Sequence, residues 1–327
     1  MTLDEIKDFL GQDWKDTDAL IRSSLESDIS LLNATNKAIL DHSGKQLRPI
    51  VSLLVARACG GGRVNADSVR YAAAAELLHN ATLLHDDVAD SSCERRGAPT
   101  VMAILGGSAS VLLGDFWLVK ALENILASSA NCNEVIRIFA GTLSSLAEGE
   151  MVQLQKASSG DTVEEDYYRI IYSKTASLFE AAFVSAAISV NAPADWIEAV
   201  RDYAVSLGIA FQIKDDIFDY SDGKKIGKPV GIDLEEQKIT LPLLGALAAA
   251  SPERAKQIRG MVLDILEHPE YKEEIVGFVK EGKGIEYAVS RLEDYVSKAV
   301  DALAVLPDSK EKDYLVKIAG FTAYRDK

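Results

Sequence analysis

Residues 71–84 are almost all apolar or small, rich in Ala and Leu and free of Pro and Gly, a pattern that predicts a buried helix. Other apolar positions fall at helical spacing on either side of it. Ile6, Leu10, Leu20, Ile21, Leu25, Ile29 and Leu32, broken by Gly11 and a polar stretch, predict two amphipathic helices within residues 1–40. An apolar helix is expected over 49–59, closed by Gly60, Gly61 and Gly62. The central helix follows over 65–90, with Asn65 or Asp67 as its N-cap. Further helices are predicted over 108–126 and 135–156. A capping box at 161–165 should open the helix that carries Tyr172 to Ala176. One or two helices are expected over 195–220, then a Gly- and Lys-rich loop over 221–233. Helices at 240–250, 252–266, 272–279, 285–303 and 311–320 complete the chain. No segment shows strand-like alternation and no Pro/Ser-rich linker interrupts the pattern. The expectation is all-α: a single large helical bundle domain over residues 1–327, with a central apolar cavity.

Composition narrows the choice of partners. A net charge of −15 leaves no broad basic face for phosphate backbones, so nucleic acid is excluded, though a few clustered Lys and Arg can still bind a small anion. The three cysteines, Cys59, Cys93 and Cys132, are odd in number and lack metal-ligand spacing, which points to a reducing compartment. The first residues lack a basic region followed by an apolar run, and no apolar stretch is long enough for a bilayer. A cytoplasmic protein with at most peripheral membrane association is expected.

The candidate chemistry lies at helix ends. Asp86, Asp87 and Asp90 close the buried helix, and Asp215, Asp216 and Asp219 repeat the Asp-Asp-x-x-Asp pattern at the end of another apolar helix. A helix C-terminus already carries partial negative charge, so carboxylates crowded there need cations. If the two ends face each other, six carboxylates line one cavity. Mg2+ suits such a site, because it takes one or two carboxylates, keeps waters and accepts phosphate oxygens. Glu76 and His79 form the Glu-x-x-His pair of di-iron bundles, but His42, His85 and His268 have no Glu three residues before them, and a second pair is required. Lys45, Arg48, Arg95, Arg96, Lys174, Lys228 and Lys238 all lie near Gly, Pro or helix ends. Arginine binds phosphate bidentately and lysine as a point charge. A carboxylate–metal face beside a cationic face makes a site for diphosphates, two of them by the number of cations.

These motifs resemble, over essentially the whole chain, the trans-type isoprenyl diphosphate synthases. The resemblance rests on Gly44-Lys45-x-x-Arg48-Pro49, His79, the first aspartate motif with Arg95-Arg96-Gly97, Lys174-Thr175, Phe211-Gln212, the second aspartate motif, and Gly227-Lys228 with Lys238. Leu113 to Phe116, Ala147 to Glu150 and Tyr172 to Ala176 are most similar to the long-chain octaprenyl and solanesyl diphosphate synthases. At Ile232 the chain departs from relatives with a polar residue there. The resemblance implies the isoprenoid synthase fold, a homodimer and two or three Mg2+ ions. It implies that Lys45, Arg48, His79 and Arg96 hold isopentenyl diphosphate. Arg95, Lys174, Thr175, Gln212, Lys228 and Lys238 would hold the allylic diphosphate, with metal on Asp86, Asp90, Asp215 and Asp219. Asp86, Asp87, Asp90, Lys174, Asp215 and Asp216 would form the catalytic set. The substrate would be farnesyl or geranylgeranyl diphosphate, elongated by successive isopentenyl units.

Product length follows from residues one and two turns before Asp86. Thr82 and Ala81 are small where short-chain relatives place a bulky aromatic, so a tunnel should stay open to Leu78, about 12 Å away by helical rise. That predicts a long product. The competing readings are a shorter-chain geranylgeranyl or farnesyl diphosphate synthase, a terpene cyclase, and a non-catalytic subunit of a heteromeric synthase. Lys45, Arg48 and the second complete aspartate motif argue against a cyclase, and two intact motifs argue against an inactive subunit.

Overall fold

The first forty residues fold into three helices rather than two: α1 (Leu3–Leu10), α2 (Gln12–Ser24) and α3 (Ser30–Asp41). Gly11 divides the first pair at φ 57°, a conformation glycine adopts without a Cβ penalty, and its N–H caps the Lys7 carbonyl. The computed structural model describes residues 2–220 and 231–324. Its further helices are α4 (Leu47–Cys59), α5 (Ala66–Ala89), α6 (Val101–Leu105), α7 (Gly107–Leu126), α8 (Cys132–Ser159), α9 (Glu164–Ile171), α10 (Ser177–Ser189) and α11 (Ala194–Asp219). Beyond 230 come α12 (Ile232–Glu235), α13 (Leu241–Ala249), α14 (Pro252–Leu263), α15 (Tyr271–Glu281), α16 (Gly284–Ala302) and α17 (Lys310–Tyr324). The fold is all-helical, as the periodicity predicts. None of the described helices is long and apolar enough to cross a membrane.

The chain groups into two compact units. The first holds Met1–Ala140, Ala181–Arg201 and Val305–Leu315; the second holds Gly141–Glu180, Asp202–Ala304 and Val316–Lys327. In the first unit α5 is the axis, with α2, α4 and α7 packed along it. Tyr71 to Leu78 are almost wholly removed from water, which explains why this helix is apolar on every side. Asn65, one of the two expected caps, opens it by accepting from the Ser68 N–H at 2.9 Å. Asp67 instead accepts from the Ser129 and Ala130 N–H groups at 3.0 and 3.1 Å. Gly114 lets α7 lie close to the far end of α5, since a Cβ there would come within 2.6 Å of the His85 ring. Arg57 ties α4 to the N-terminal helices through Asp13 (2.7 Å) and the Phe9 carbonyl (3.0 Å).

Two local features depart from the expected pattern. Glu94–Arg95 and Ala98–Pro99 form a two-residue antiparallel ladder, β1 and β2, joined by Arg96 and Gly97 at φ 55° and 75°. Two consecutive left-handed residues are what a tight hairpin needs, and they turn the arginine pair back toward the end of α5. The capping box expected at 161–165 is only half formed: the Asp166 carboxylate accepts from the Val163 N–H at 3.1 Å, while Asp161 bonds Ser159 and Lys156.

In the second unit α9 does not run smoothly into α10. Residues Tyr172–Ala176 form a π-helical turn, a form that concentrates at functional sites. Opposite it, α11 carries Gly208, where a Cβ would lie 2.6 Å from the Ala176 Cα. The absent side chain lets the two backbones touch and holds the turn that bears Lys174 and Thr175. Around them α13 packs on α14, α15 and α16 in an apolar core that includes Leu241, Leu244, Val262 and Ile275. Gly208→Ala should therefore lower the unfolding free energy by about 1–3 kcal/mol through overpacking. Denaturant titration reads this directly, and an unchanged midpoint would show that the contact is not tight.

Candidate active site

The first unit gathers the cations assigned to isopentenyl diphosphate. Gly44 to Pro49 lead into α4, with Gln46 at φ 51° as the left-handed entry residue, accepting from the Lys7 ammonium at 3.3 Å. Gly44 is a seat for Arg96, because a Cβ would fall 2.6 Å from the guanidinium carbon. Lys45 is exposed, Arg48 is partly enclosed, and His79 lies on α5 three residues after the buried Glu76. Burial pushes the Arg48 guanidinium down to about 10; Arg96 pushes it the same way, and Glu76 opposes both. Burial likewise raises the Glu76 carboxyl, and Arg48 pulls it back. Asn80 donates to Glu76 at 3.2 Å. Glu76, weighed in the sequence only as a metal ligand, is thus the counter-charge beneath two arginines. Positive charge that is crowded and partly dehydrated favours an anion of high charge.

At the end of α5 the three aspartates divide. Asp86 and Asp90 lie one turn apart, partly and fully exposed. Asp87 is buried at 4% exposure and accepts from Arg95 Nε at 2.8 Å. That contact fixes the first arginine of the pair and occupies the middle carboxylate. Of the expected tunnel residues, Leu78 and Ala81 are buried, and Thr82 is partly buried with its hydroxyl turned back to the His79 carbonyl at 2.8 Å.

The second unit holds a cavity of about 140 Å³, lined among others by Lys174, Gln212, Asp216, Asp233 and Lys238. Lys174 meets Glu150 at 2.7 Å and Gln153 at 3.1 Å. Thr175 donates to Gln212 at 2.9 Å, and Gln212 donates to Asp216 at 2.9 Å. Asp219 accepts the N–H groups of Ile232 and Asp233 at 2.9 and 3.2 Å, capping α12. Ile232 therefore serves through its backbone, with its side chain exposed. Asp215 is partly buried on the same helix end. Lys228 lies outside the described residues.

Negative charge is crowded here as positive charge is in the first unit. Burial and the Asp233 charge hold the Asp216 carboxyl well above the usual range, against the Tyr167 and Gln212 donors. Burial and the Asp219 charge raise Asp233 to about 6, with Lys238 and Lys174 pulling the other way. Burial raises Asp219 despite its backbone donors. Such a cluster calls for cations. Among the described residues no three His, Cys, Asp or Glu side chains form a ready-made metal cage. Paired carboxylates at two helix ends still fit Mg2+, whose other positions go to water and phosphate oxygens. Sequence reading passed over Tyr167, Glu150 and Asp233; a Tyr at helical spacing reads as core, and only the Glu148-Gly149-Glu150 and Gly231-Ile232-Asp233 motifs drew notice.

The His79 imidazole is held well below its ordinary value by burial and then by Arg48, Arg96 and Arg95, so it is neutral in the ligand-free protein. Its folded pKa lies below the unfolded value of about 6.5, so its stabilising share is complete above that pH and is lost as pH falls toward the folded value. Imidazole NMR should show His79 titrating below pH ~6.5, and His79→Asn should flatten the acid limb of stability. Titration at or above that pH would contradict the cationic surroundings.

Known proteins resemble the chain over most or all of its length. The polyprenyl synthetase family matches residues 29–279. The octaprenyl diphosphate synthase of Escherichia coli (strain K12) is 38% identical over 329 residues, covering all of both chains. A short chain isoprenyl diphosphate synthase of Methanothermobacter thermautotrophicus is 35% identical, covering 98% of this chain and 99% of that one. The crystal structure of a polyprenyl synthase from Caulobacter crescentus, complexed with calcium and isoprenyl diphosphate, superposes with a TM-score of 0.89 at 33% identity, covering 100% and 98% of the two chains. The chain belongs to the polyprenyl synthetase family and is a polyprenyl diphosphate synthase, a prenyltransferase with the isoprenoid synthase fold.

Proposed function

We propose that the protein condenses an allylic diphosphate, farnesyl or geranylgeranyl, with successive isopentenyl diphosphates to make a long all-trans polyprenyl diphosphate, and that residues 1–327 act as one catalytic domain. Lys45, Arg48, His79 and Arg96 bind the isopentenyl diphosphate. Arg95, Lys174, Thr175, Gln212, Lys228 and Lys238 bind the allylic one. Asp86, Asp90, Asp215 and Asp219 would hold two or three Mg2+ ions, which would supply neutralisation of diphosphate charge. Asp87 keeps Arg95 in place at 2.8 Å. Arg95, Lys174, Lys228 and Lys238 take up charge as the allylic C–O bond breaks, which is where stabilisation lowers the barrier. The double bond of isopentenyl diphosphate attacks the allylic carbon, forming the new C–C bond, and the released diphosphate takes the proton lost from the isopentenyl carbon skeleton. Water must be kept from the reacting carbon, because it would quench the allylic cation.

The observation that carries the long-chain reading is the pair Ala81 and Thr82, small side chains at five and four positions before Asp86. A shorter-chain geranylgeranyl or farnesyl synthase is the second reading, favoured by similarity to the short-chain enzyme. On α7, Leu112, Val119 and Leu126 are 69%, 50% and 60% exposed at seven-residue intervals. An apolar stripe of that period supports a homodimer. Three free cysteines support a cytoplasmic location.

Purified protein given Mg2+, farnesyl diphosphate and isopentenyl diphosphate should make products longer than geranylgeranyl by chromatography; products no longer than that support the second reading. Asp86→Ala and Asp215→Ala should each cut turnover by about three orders of magnitude or more with the fold retained, in line with lost electrostatic stabilisation. Rates near wild type would refute the metal assignment. Ala81→Phe, or Thr82→Phe at the less buried position, should shorten the product. An unchanged product distribution in folded variants would show that the growing chain takes another path.

A further inference from the structure

In the second unit one polar side chain is assigned nothing by the motifs. Tyr167 lies on α9, 3% exposed, and its hydroxyl donates to Asp216 Oδ2 at 2.7 Å. The other oxygen, Asp216 Oδ1, accepts from Gln212 Nε2 at 2.9 Å, and Gln212 Oε1 accepts from the Thr175 hydroxyl at 2.9 Å. The four side chains come from α9, the π-helical turn and α11, and Tyr167, Gln212 and Asp216 all line the cavity that holds Lys174 and Lys238.

An ionised Asp216 gives the chain of bonds one direction: Tyr167 can satisfy it only by donating, and so can the amide nitrogen of Gln212. A flipped Gln212 would set its carbonyl oxygen against Asp216, acceptor against acceptor. Asp216 therefore sets which way the Gln212 amide faces, and the amide's oxygen claims the Thr175 proton. The second hydrogen of Gln212 Nε2 is left for an acceptor in the cavity that Gln212 lines. The middle aspartate of the second motif thus acts as an anchor with both oxygens used, and Tyr167 is the end of the line that holds it.

We infer that Tyr167 is a positioning residue for the allylic diphosphate, acting through Asp216 to fix the Gln212 amide. This rests on the reading of the Lys174–Lys238 cavity given under Proposed function. Removal of the tyrosine hydroxyl leaves Asp216 with one donor in a crowded acidic cluster, and the amide and hydroxyl beyond it lose their set orientation. The isopentenyl residues Lys45, Arg48, His79 and Arg96 lie in the other unit.

The test is a double-mutant cycle on full-length enzyme with Mg2+, farnesyl diphosphate and isopentenyl diphosphate. Wild-type turnover comes first: with none, the functional reading itself fails and the cycle is not reached. In active enzyme, Tyr167→Phe should raise the KM for farnesyl diphosphate and lower kcat by about 5- to 20-fold, with the KM for isopentenyl diphosphate within about twofold of wild type. Gln212→Leu should show the same pattern, and the double variant should be no worse than Gln212→Leu alone, because both act through one amide. Wild-type kinetics in Tyr167→Phe would overturn the proposal. So would effects that multiply in the double variant, or equal losses for both substrates. If Tyr167→Phe does not fold, Asp216→Asn against Gln212→Leu gives the same cycle, and additive losses there overturn the proposal equally.

Discussion

Like charges held close together and partly away from water are the constraint on which this molecule is built. In the first unit burial drives the guanidinium groups of Arg48 and Arg96 toward neutrality, and buried Glu76 opposes the shift in both. In the second, Asp216, Asp219 and Asp233 are all driven toward protonation, and Lys174 and Lys238 oppose this at Asp233. Each cluster is costly alone and each is relieved by the partner the other chemistry supplies: an anion of high charge for the arginines, hard cations for the carboxylates. A prenyltransferase needs both, because its leaving group is a diphosphate and its barrier is the separation of charge.

Local backbone features serve those clusters. Arg96 reaches its seat over Gly44 from a left-handed position in a two-residue hairpin turn. Lys174 and Thr175 stand on a π-helical turn kept in place by Gly208. Gln46, left-handed, opens α4 beside Arg48. Gln46 and Arg96 hold left-handed backbone that residues other than glycine adopt at a cost.

The all-helical fold, the order of the helices and both aspartate motifs were legible in the sequence, because apolar spacing and repeated Asp-Asp-x-x-Asp patterns are local signals. Other features were not. The break at Gly11 was seen as an interruption within a pair of helices, although a glycine at φ 57° ends one helix and starts the next. The π turn carries no pattern of its own; it depends on the close approach of Ala176 to Gly208, thirty-two residues later in sequence. The different duties within each motif were hidden for the same reason. Asp87 takes Arg95, Asp219 caps α12 and Asp216 anchors Gln212, and each partner is set by tertiary contact, not by spacing. Tyr167 offered no signal at all beyond helical periodicity.

Calorimetric titration of Mg2+ into the protein, with and without a non-reactive thio analogue of the allylic diphosphate, tests most directly whether crowded carboxylates and diphosphate complete one another. Paired carboxylates without a preformed cage predict weak metal binding alone and at least about tenfold tighter binding with the analogue, a coupling of about 1.4 kcal/mol. Metal affinity that is the same in both titrations would contradict the account.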